Sequence, residues 1–248
     1  MISQAALASG TRTGRAGAFG GFGTRWALLL SAGGGLALFA SFPPVDAWPL
    51  AAAGPGMLAV ALTGRSLRGS LGCGLAFGVA LFVPLLSWVV NVAWYGWAAL
   101  ALAEAVIFAI LCLGQRLLLE LPCWPAAVAA WWVAAEALRD RWPFAFPWGR
   151  LAMSQSVAPD VRWVAIGGAP LLSFLVALTG TMAARAVLGA LGAGGWRSRG
   201  SAGAALAAVV TAGLVLAGCR STRWAGHRRP RWPRSRVISR GPGTCRSS

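Results

Sequence analysis

Lysine is absent from this 248-residue sequence, and acidic side chains are limited to Asp46, Glu104, Glu120, Glu136, Asp140 and Asp160. Charged residues make up 11% of the chain against 57% hydrophobic ones, a balance that excludes an ordinary water-soluble domain and places the chain in a bilayer. The single histidine, His227, lies in an arginine-rich tail, and the five cysteines show no CxxC pairing, so no metal centre and no disulfide framework is signalled. No cofactor is implied either. All 22 basic residues are arginine, which reads as coding bias, since lysine serves equally well at most exposed positions.

The net charge of +16 would ordinarily suggest nucleic acid as a partner, but the arginines are scattered through short loops until the tail begins, and nucleic acid is excluded on that ground. What is abundant is long apolar sequence. A membrane helix needs roughly 20 apolar residues, and seven such stretches are expected: 25–42, 47–63, 69–90, 97–119, 123–139, 163–190 and 202–219. Pro, Gly and charge separate them, as in "FPPVD" at 42–46, "TGRSLRG" at 63–69 and "GAGGWRSRGS" at 192–201. The expected fold is therefore an all-α polytopic bundle of about seven transmembrane spans in residues 25–219. It is preceded by a cytoplasmic segment, 1–24, and followed by a disordered basic tail, 220–248.

Arginine placement orients the bundle, because positively charged loops stay in the cytoplasm. With the N-terminus inside, Arg12, Arg15, Arg25, Arg65, Arg68, Arg116, Arg185, Arg197 and Arg199 fall at cytoplasmic ends. Seven spans then carry the tail outside, against the same rule. No acid follows Asp160, and the Arg, Pro, Ser and Gly composition of the tail cannot bury a core. A reading-frame change near residue 220 is the hypothesis that accounts for both features, and the nucleotide sequence downstream of codon 220 decides it. Glycine-rich stretches, "GCGLAFG" at 72–78 and "GG" at 167–168, are expected to let helix backbones approach closely.

Intramembrane charge marks candidate sites. Glu104, inside the fourth span, needs a partner, and Asn91 and Arg139 both remain open for that role. Glu136 and Arg139, three residues apart on one helix face, are expected to neutralise one another near the outer interface, within an aromatic belt of Trp131, Trp132, Trp142 and Trp148. Pro143 and Pro147 stiffen the "FAFPWG" loop, so Phe144, Phe146 and Trp148 are candidates for the wall of a lipid cleft. Gln155 is a candidate for bonding a lipid headgroup or its own backbone. Arg116 and Glu120 read as an interfacial pair. "LAGC" at 216–219 matches a lipobox but reads more simply as the end of an ordinary span.

The segment W-x-x-x-E-x-L-R, F-P-W-G, S-Q-S within 132–156, with "LFASFPP" at 38–44 and "VAIGGAPLLSFL" at 164–175, resembles the membrane domain of the apolipoprotein N-acyltransferases, actinobacterial forms above all. The resemblance runs from about residue 25 to about residue 219. It implies a multi-pass plasma-membrane enzyme that moves an acyl chain from a membrane phospholipid to the N-terminal diacylglyceryl-cysteine of lipoproteins. Glu104, Glu136, Arg139, Phe146, Pro147, Trp148 and Gln155 would then line the substrate cleft. In that family catalysis resides in a nitrilase-like domain with a Glu, Lys and Cys set. With no lysine among these 248 residues, no catalytic residue is assigned, and Cys245, beside no Glu or Lys, is not a candidate nucleophile. The chain alone is expected to be inactive. A different expectation, of another class, is a non-catalytic membrane scaffold or anchor for a polyprenol-phosphate mannose synthase.

Overall fold

A computed structural model describes residues 23–142 and 145–191 of the chain. The expected seventh span at 202–219, the segment 1–24 as far as residue 22, the tail 220–248, and Pro143 and Phe144 lie outside the described residues. Six α-helices follow one another: α1 (Thr24–Ala40), α2 (Leu50–Leu62), α3 (Leu67–Leu85), α4 (Trp94–Leu118), α5 (Trp124–Arg139) and α6 (Val164–Ala190). They coincide with the first six expected apolar stretches, and among the described residues there is no strand. Three segments, Leu67–Leu85, Trp94–Leu118 and Pro159–Ala190, are long and apolar enough to cross a membrane, and α1 and α2 are shorter apolar helices. The α2 helix, at 13 residues, spans only about 20 Å against a hydrocarbon core of about 30 Å.

Local chemistry sets the boundaries. Ser66 caps α3 by accepting the backbone N–H of Gly69 at 3.2 Å. Pro125 occupies the first turn of α5, where a missing N–H costs nothing. The Gly167–Gly168 pair behaves differently from expectation. It packs no backbone but breaks the start of α6, with Gly168 at φ 69° and ψ −173°, a conformation that a side chain would obstruct. Gly74 and Gly78 do meet their expectation: a Cβ on Gly78 would stand 2.8 Å from Ala105 Cα, and one on Gly74 2.9 Å from Ala109 Cα. Spaced four apart on one face, they bring α3 against α4 at backbone contact.

The helices form a ring in the spatial order α4, α3, α1, α2, α6, α5, in which each neighbouring pair packs extensively except α4 with α5, which touch sparsely. Phe77, Phe108 and Trp132, from α3, α4 and α5, fill the centre beside that seam. The Phe77 and Phe108 rings stack at 5.0 Å, and Trp132 meets Phe108 edge-on at 5.5 Å. At one end of the ring Arg116 donates to Arg65 O at 2.7 Å and pairs with Glu120 at 2.9 Å, as its spacing predicts, while Arg185 donates to Pro122 O. The other end carries the loops 41–49 and 140–163 and the 3₁₀ turn Ser87–Asn91, with Trp88, Trp94, Tyr95, Trp142 and Trp148 exposed.

Gly78→Leu drives a branched side chain into the α4 backbone and is expected to destabilise the bundle by about 1–3 kcal/mol, more than Gly72→Leu on the open side of the same helix. Thermal unfolding in detergent measures both. Equal transition temperatures for the two variants would refute the close α3–α4 contact.

Candidate functional site

Where α4 and α5 touch most sparsely, charge joins them, beside Trp131, whose Nε1 donates to Leu111 O at 2.9 Å and whose ring lies against Gly114. Glu104, 2% exposed, projects from α4, and Arg139, 6% exposed, is the last residue of α5. Arg139 Nε and Nη2 both reach Glu104 Oε2 at 2.7 Å. The partner left open between Asn91 and Arg139 is thus Arg139. Asn91 is exposed and donates to Trp88 O at 3.3 Å. The guanidinium lies 4.8 Å over the Phe82 ring of α3, so three helices meet at one cation. Its Nη2 also donates to Trp148 O at 3.1 Å, which ties the F-P-W loop to the same ion pair.

Glu136 does not form the expected pair with Arg139. Its Oε1 instead accepts the backbone N–H of Leu151 at 2.7 Å and Trp132 Nε1 at 3.2 Å. The reason is geometric: Arg139 turns toward the carboxylate that α4 brings across the seam, and Glu136, one turn below, faces the first orphan N–H of the 3₁₀ turn Leu151–Gln155. Ala152 N–H donates to Ser173 Oγ of α6 at 3.1 Å, so the same turn is held from two helices. Gln155, 1% exposed, is turned inward. Its Nε2 donates to Trp48 O at 3.3 Å, in the α1–α2 loop, and to Ser154 Oγ at 2.9 Å. Every polar member of the cluster therefore has a protein partner, and together they fix the segment 145–155 across the end of the ring.

What this scaffold presents outward is aromatic. Pro147 and Trp148 are exposed, and Phe146 is half-buried against the core. Trp148 packs on Trp88 at 5.5 Å and on Phe146 at 6.4 Å. Asp140 and Arg150 form an ion pair beneath the loop. Behind the cluster, a small pocket of about 20 Å³ lies among α1, α3, α4 and α5, lined by Leu38, Leu81, Phe108, Gln115, Trp132 and Glu136 among others. Among the described residues no three of His, Cys, Asp or Glu stand together as metal ligands.

All seven candidate residues stand at one end of the bundle, in two layers: Glu104, Glu136, Arg139 and Gln155 beneath, Phe146, Pro147 and Trp148 above. Phe82, Trp88 and Ser173 belong to the arrangement and were not singled out from the sequence. Phe82 and Trp88 carry no pattern apart from other apolar residues, whereas Ser173 is the one hydroxyl within "APLLSFL" and offered a signal of polar contact.

Against known proteins, the family described as apolipoprotein N-acyltransferase N-terminal domain matches residues 34–182. An apolipoprotein N-acyltransferase of Mycolicibacterium smegmatis is 39% identical over 152 residues, covering 60% of this chain and 26% of the relative. Those of Pseudomonas syringae pv. tomato and Azotobacter vinelandii are each 31% identical, over 171 and 155 residues, covering 62% and 56% of this chain and 33% and 30% of the relatives. The chain thus spans 26% to 33% of the length of these relatives.

Breaking the buried pair from one side leaves an uncompensated charge among apolar helices. Arg139→Met is expected to lower stability by about 3–5 kcal/mol, and the double variant Glu104→Leu/Arg139→Met to recover most of that loss. A double-mutant cycle by unfolding in detergent reads the coupling. Additive effects would refute a direct ion pair.

Proposed function

The chain belongs to the apolipoprotein N-acyltransferase N-terminal domain family, and from that premise we propose that it forms the membrane-embedded, substrate-holding part of such an acyltransferase. The observation that carries this reading is that the family match, 34–182, runs from within α1 to within α6 and takes in α2 to α5, the ion pair and the loop it anchors. The reaction is acyl transfer from a membrane phospholipid to the N-terminal diacylglyceryl-cysteine of a lipoprotein. The Glu, Lys and Cys set of the family's nitrilase-like domain is not drawn from these 248 residues, which contain no lysine. A polypeptide of this sequence holds substrate without acylating it.

The bundle sits in the plasma membrane with about seven spans and its N-terminus in the cytoplasm. Support comes from the distribution of side chains between the two ends of the ring. Arg65, Arg116 and Arg185 gather at the end where α4 and α6 finish, with Trp26, and four exposed tryptophans, Trp88, Trp94, Trp142 and Trp148, gather at the opposite end, a polarity that suits a cytoplasmic and an outer face. Phe146, Pro147 and Trp148 touch the acyl chains of phospholipid and lipoprotein at headgroup depth. Glu104, Glu136, Arg139 and Gln155 act through them as positioning residues, because their hydrogen-bonding groups are already engaged within the protein.

A diacylated lipopeptide with a photoactivatable acyl chain is expected to label residues 146–148 in membranes, and Trp148→Ala to reduce that labelling by about tenfold, in line with the loss of a buried aromatic contact of roughly 1.4 kcal/mol. Mass spectrometry of the recovered lipopeptide should show no third acyl chain. Labelling unaffected by Trp148→Ala, or a triacylated product, would overturn the respective parts of this reading.

A further inference from the structure

The ring has a second concavity, toward the opposite end from the ion pair. A groove of about 760 Å³ runs along α2 between α1 and α6, walled by Trp26, Leu29, Met57, Ala183, Val187 and Leu191. Beneath it α2 and α6 meet backbone to backbone, since a Cβ on Gly56 would stand 2.6 Å from Gly180 O. That contact closes the floor, while the walls above it stay open: Trp26 is 67% exposed and Leu191 58%. The start of α1 and the ends of α2 and α6 surround its mouth.

We propose that this groove seats an acyl chain of an anionic phospholipid, with the lipid's phosphate at the arginine-lined mouth. Its length suits one leaflet. The α6 margin from Thr179 to Leu191 covers about 18 Å of helix, against the roughly 15 Å that one leaflet contributes to a hydrocarbon core of about 30 Å. Its chemistry suits a hydrocarbon. Thr179 carries the one hydroxyl in the lining, and that hydroxyl already donates to Leu175 O at 2.9 Å. A polar ligand or an irregular peptide would leave its own hydrogen-bonding groups unpaired against these walls, whereas an acyl chain has none to satisfy.

Charge selects the headgroup. Arg25 is exposed and stands one turn before Leu29, so it shares the face of α1 that walls the groove. Arg65 arrives at the same place from the α2–α3 loop, where its Nη1 donates to Thr24 Oγ1 at 3.5 Å. Among the described residues Glu120 is the one acid at this end, and Arg116 pairs with it at 2.9 Å; Asp46, Glu104, Glu136, Asp140 and Asp160 lie toward the other. A phosphate at the mouth therefore meets guanidinium groups, which bind it in a fixed fork, with no unpaired carboxylate to repel it. Trp26, on the rim, stands where an interfacial ring meets headgroups. This site lies at the opposite end from Phe146, Pro147 and Trp148, and it does not depend on the acyltransferase reading.

Photolabelling of the full chain in phosphatidylcholine nanodiscs tests it. The probe is phosphatidylglycerol with a diazirine midway along one acyl chain, compared with phosphatidylcholine carrying the same chain, and mass spectrometry locates the label. Phosphatidylglycerol should label Met57, Ala183 and Val187 at least about fivefold more than phosphatidylcholine does, the factor that one arginine contributes to anionic-lipid binding. Arg25→Gln/Arg65→Gln should abolish that preference while leaving labelling by phosphatidylcholine unchanged. Ala183→Trp, at an exposed position, fills the groove and should reduce labelling by both lipids, with size-exclusion chromatography checking that the ring stays folded. Equal labelling by the two lipids in the unsubstituted chain would mean bulk lipid only, and no label in the groove would assign it to a protein occupant. A preference that survives Arg25→Gln/Arg65→Gln would place the headgroup elsewhere. Each of these results overturns the proposal.

Discussion

The arrangement of this protein turns on one buried ion pair at the seam where helix packing is sparsest. Five of the six helix contacts around the ring rest on close apolar fit, and the sixth, α4 with α5, is spanned by Arg139 and Glu104, by Trp131 on Gly114 and Leu111 O, and by Trp132 on Phe108. In hydrocarbon such a pair is held in place by the absence of alternatives: neither charge has water to turn to, so each enforces the position of the other. The energetic weight lies less in the pair's net worth than in the penalty for losing one half of it.

The same guanidinium reaches Trp148 O and lies on the Phe82 ring, so the closure of the ring and the placement of the F-P-W loop are one event. Glu136 and Ser173 extend this control by receiving the N–H groups of Leu151 and Ala152, and Gln155 joins the result to the α1–α2 loop. A short irregular segment between two membrane helices is thereby held by α4, α5, α6 and a distant loop together. Such a segment would otherwise carry unsatisfied backbone groups at an oily interface. The exposed aromatics then stand on a rigid base.

Much of this was legible in the sequence. Six helices stand where six apolar stretches end at Pro, Gly and charge, because in lipid a backbone must satisfy its own hydrogen bonds and a helix is the local way to do so. The close α3–α4 contact was visible in Gly74 and Gly78, and the Arg116–Glu120 pair in its spacing. Other features misled. Glu136 and Arg139 share a helix face, yet each found a better partner elsewhere, and Gly167–Gly168 looked like a packing surface but breaks a helix. Both errors have one source: spacing along a helix says which side chains are neighbours, not which acceptor or donor a third element will bring nearer.

The sequence by itself determined that the chain is helical and belongs in a membrane, where its helices lie to within a few residues, and that Glu136, Arg139, Asp140 and Arg141 cluster at the end of the fifth. Those properties follow from transfer of side chains and backbone to lipid, which acts residue by residue. Only the tertiary structure decided the ring order of the helices, the choice of Arg139 over Asn91 for Glu104, and the use of Gln155 as a brace between loops. Each of these depends on contacts between residues far apart in the chain, such as the 35 positions from Glu104 to Arg139 and the 107 from Trp48 to Gln155, and no local pattern encodes them.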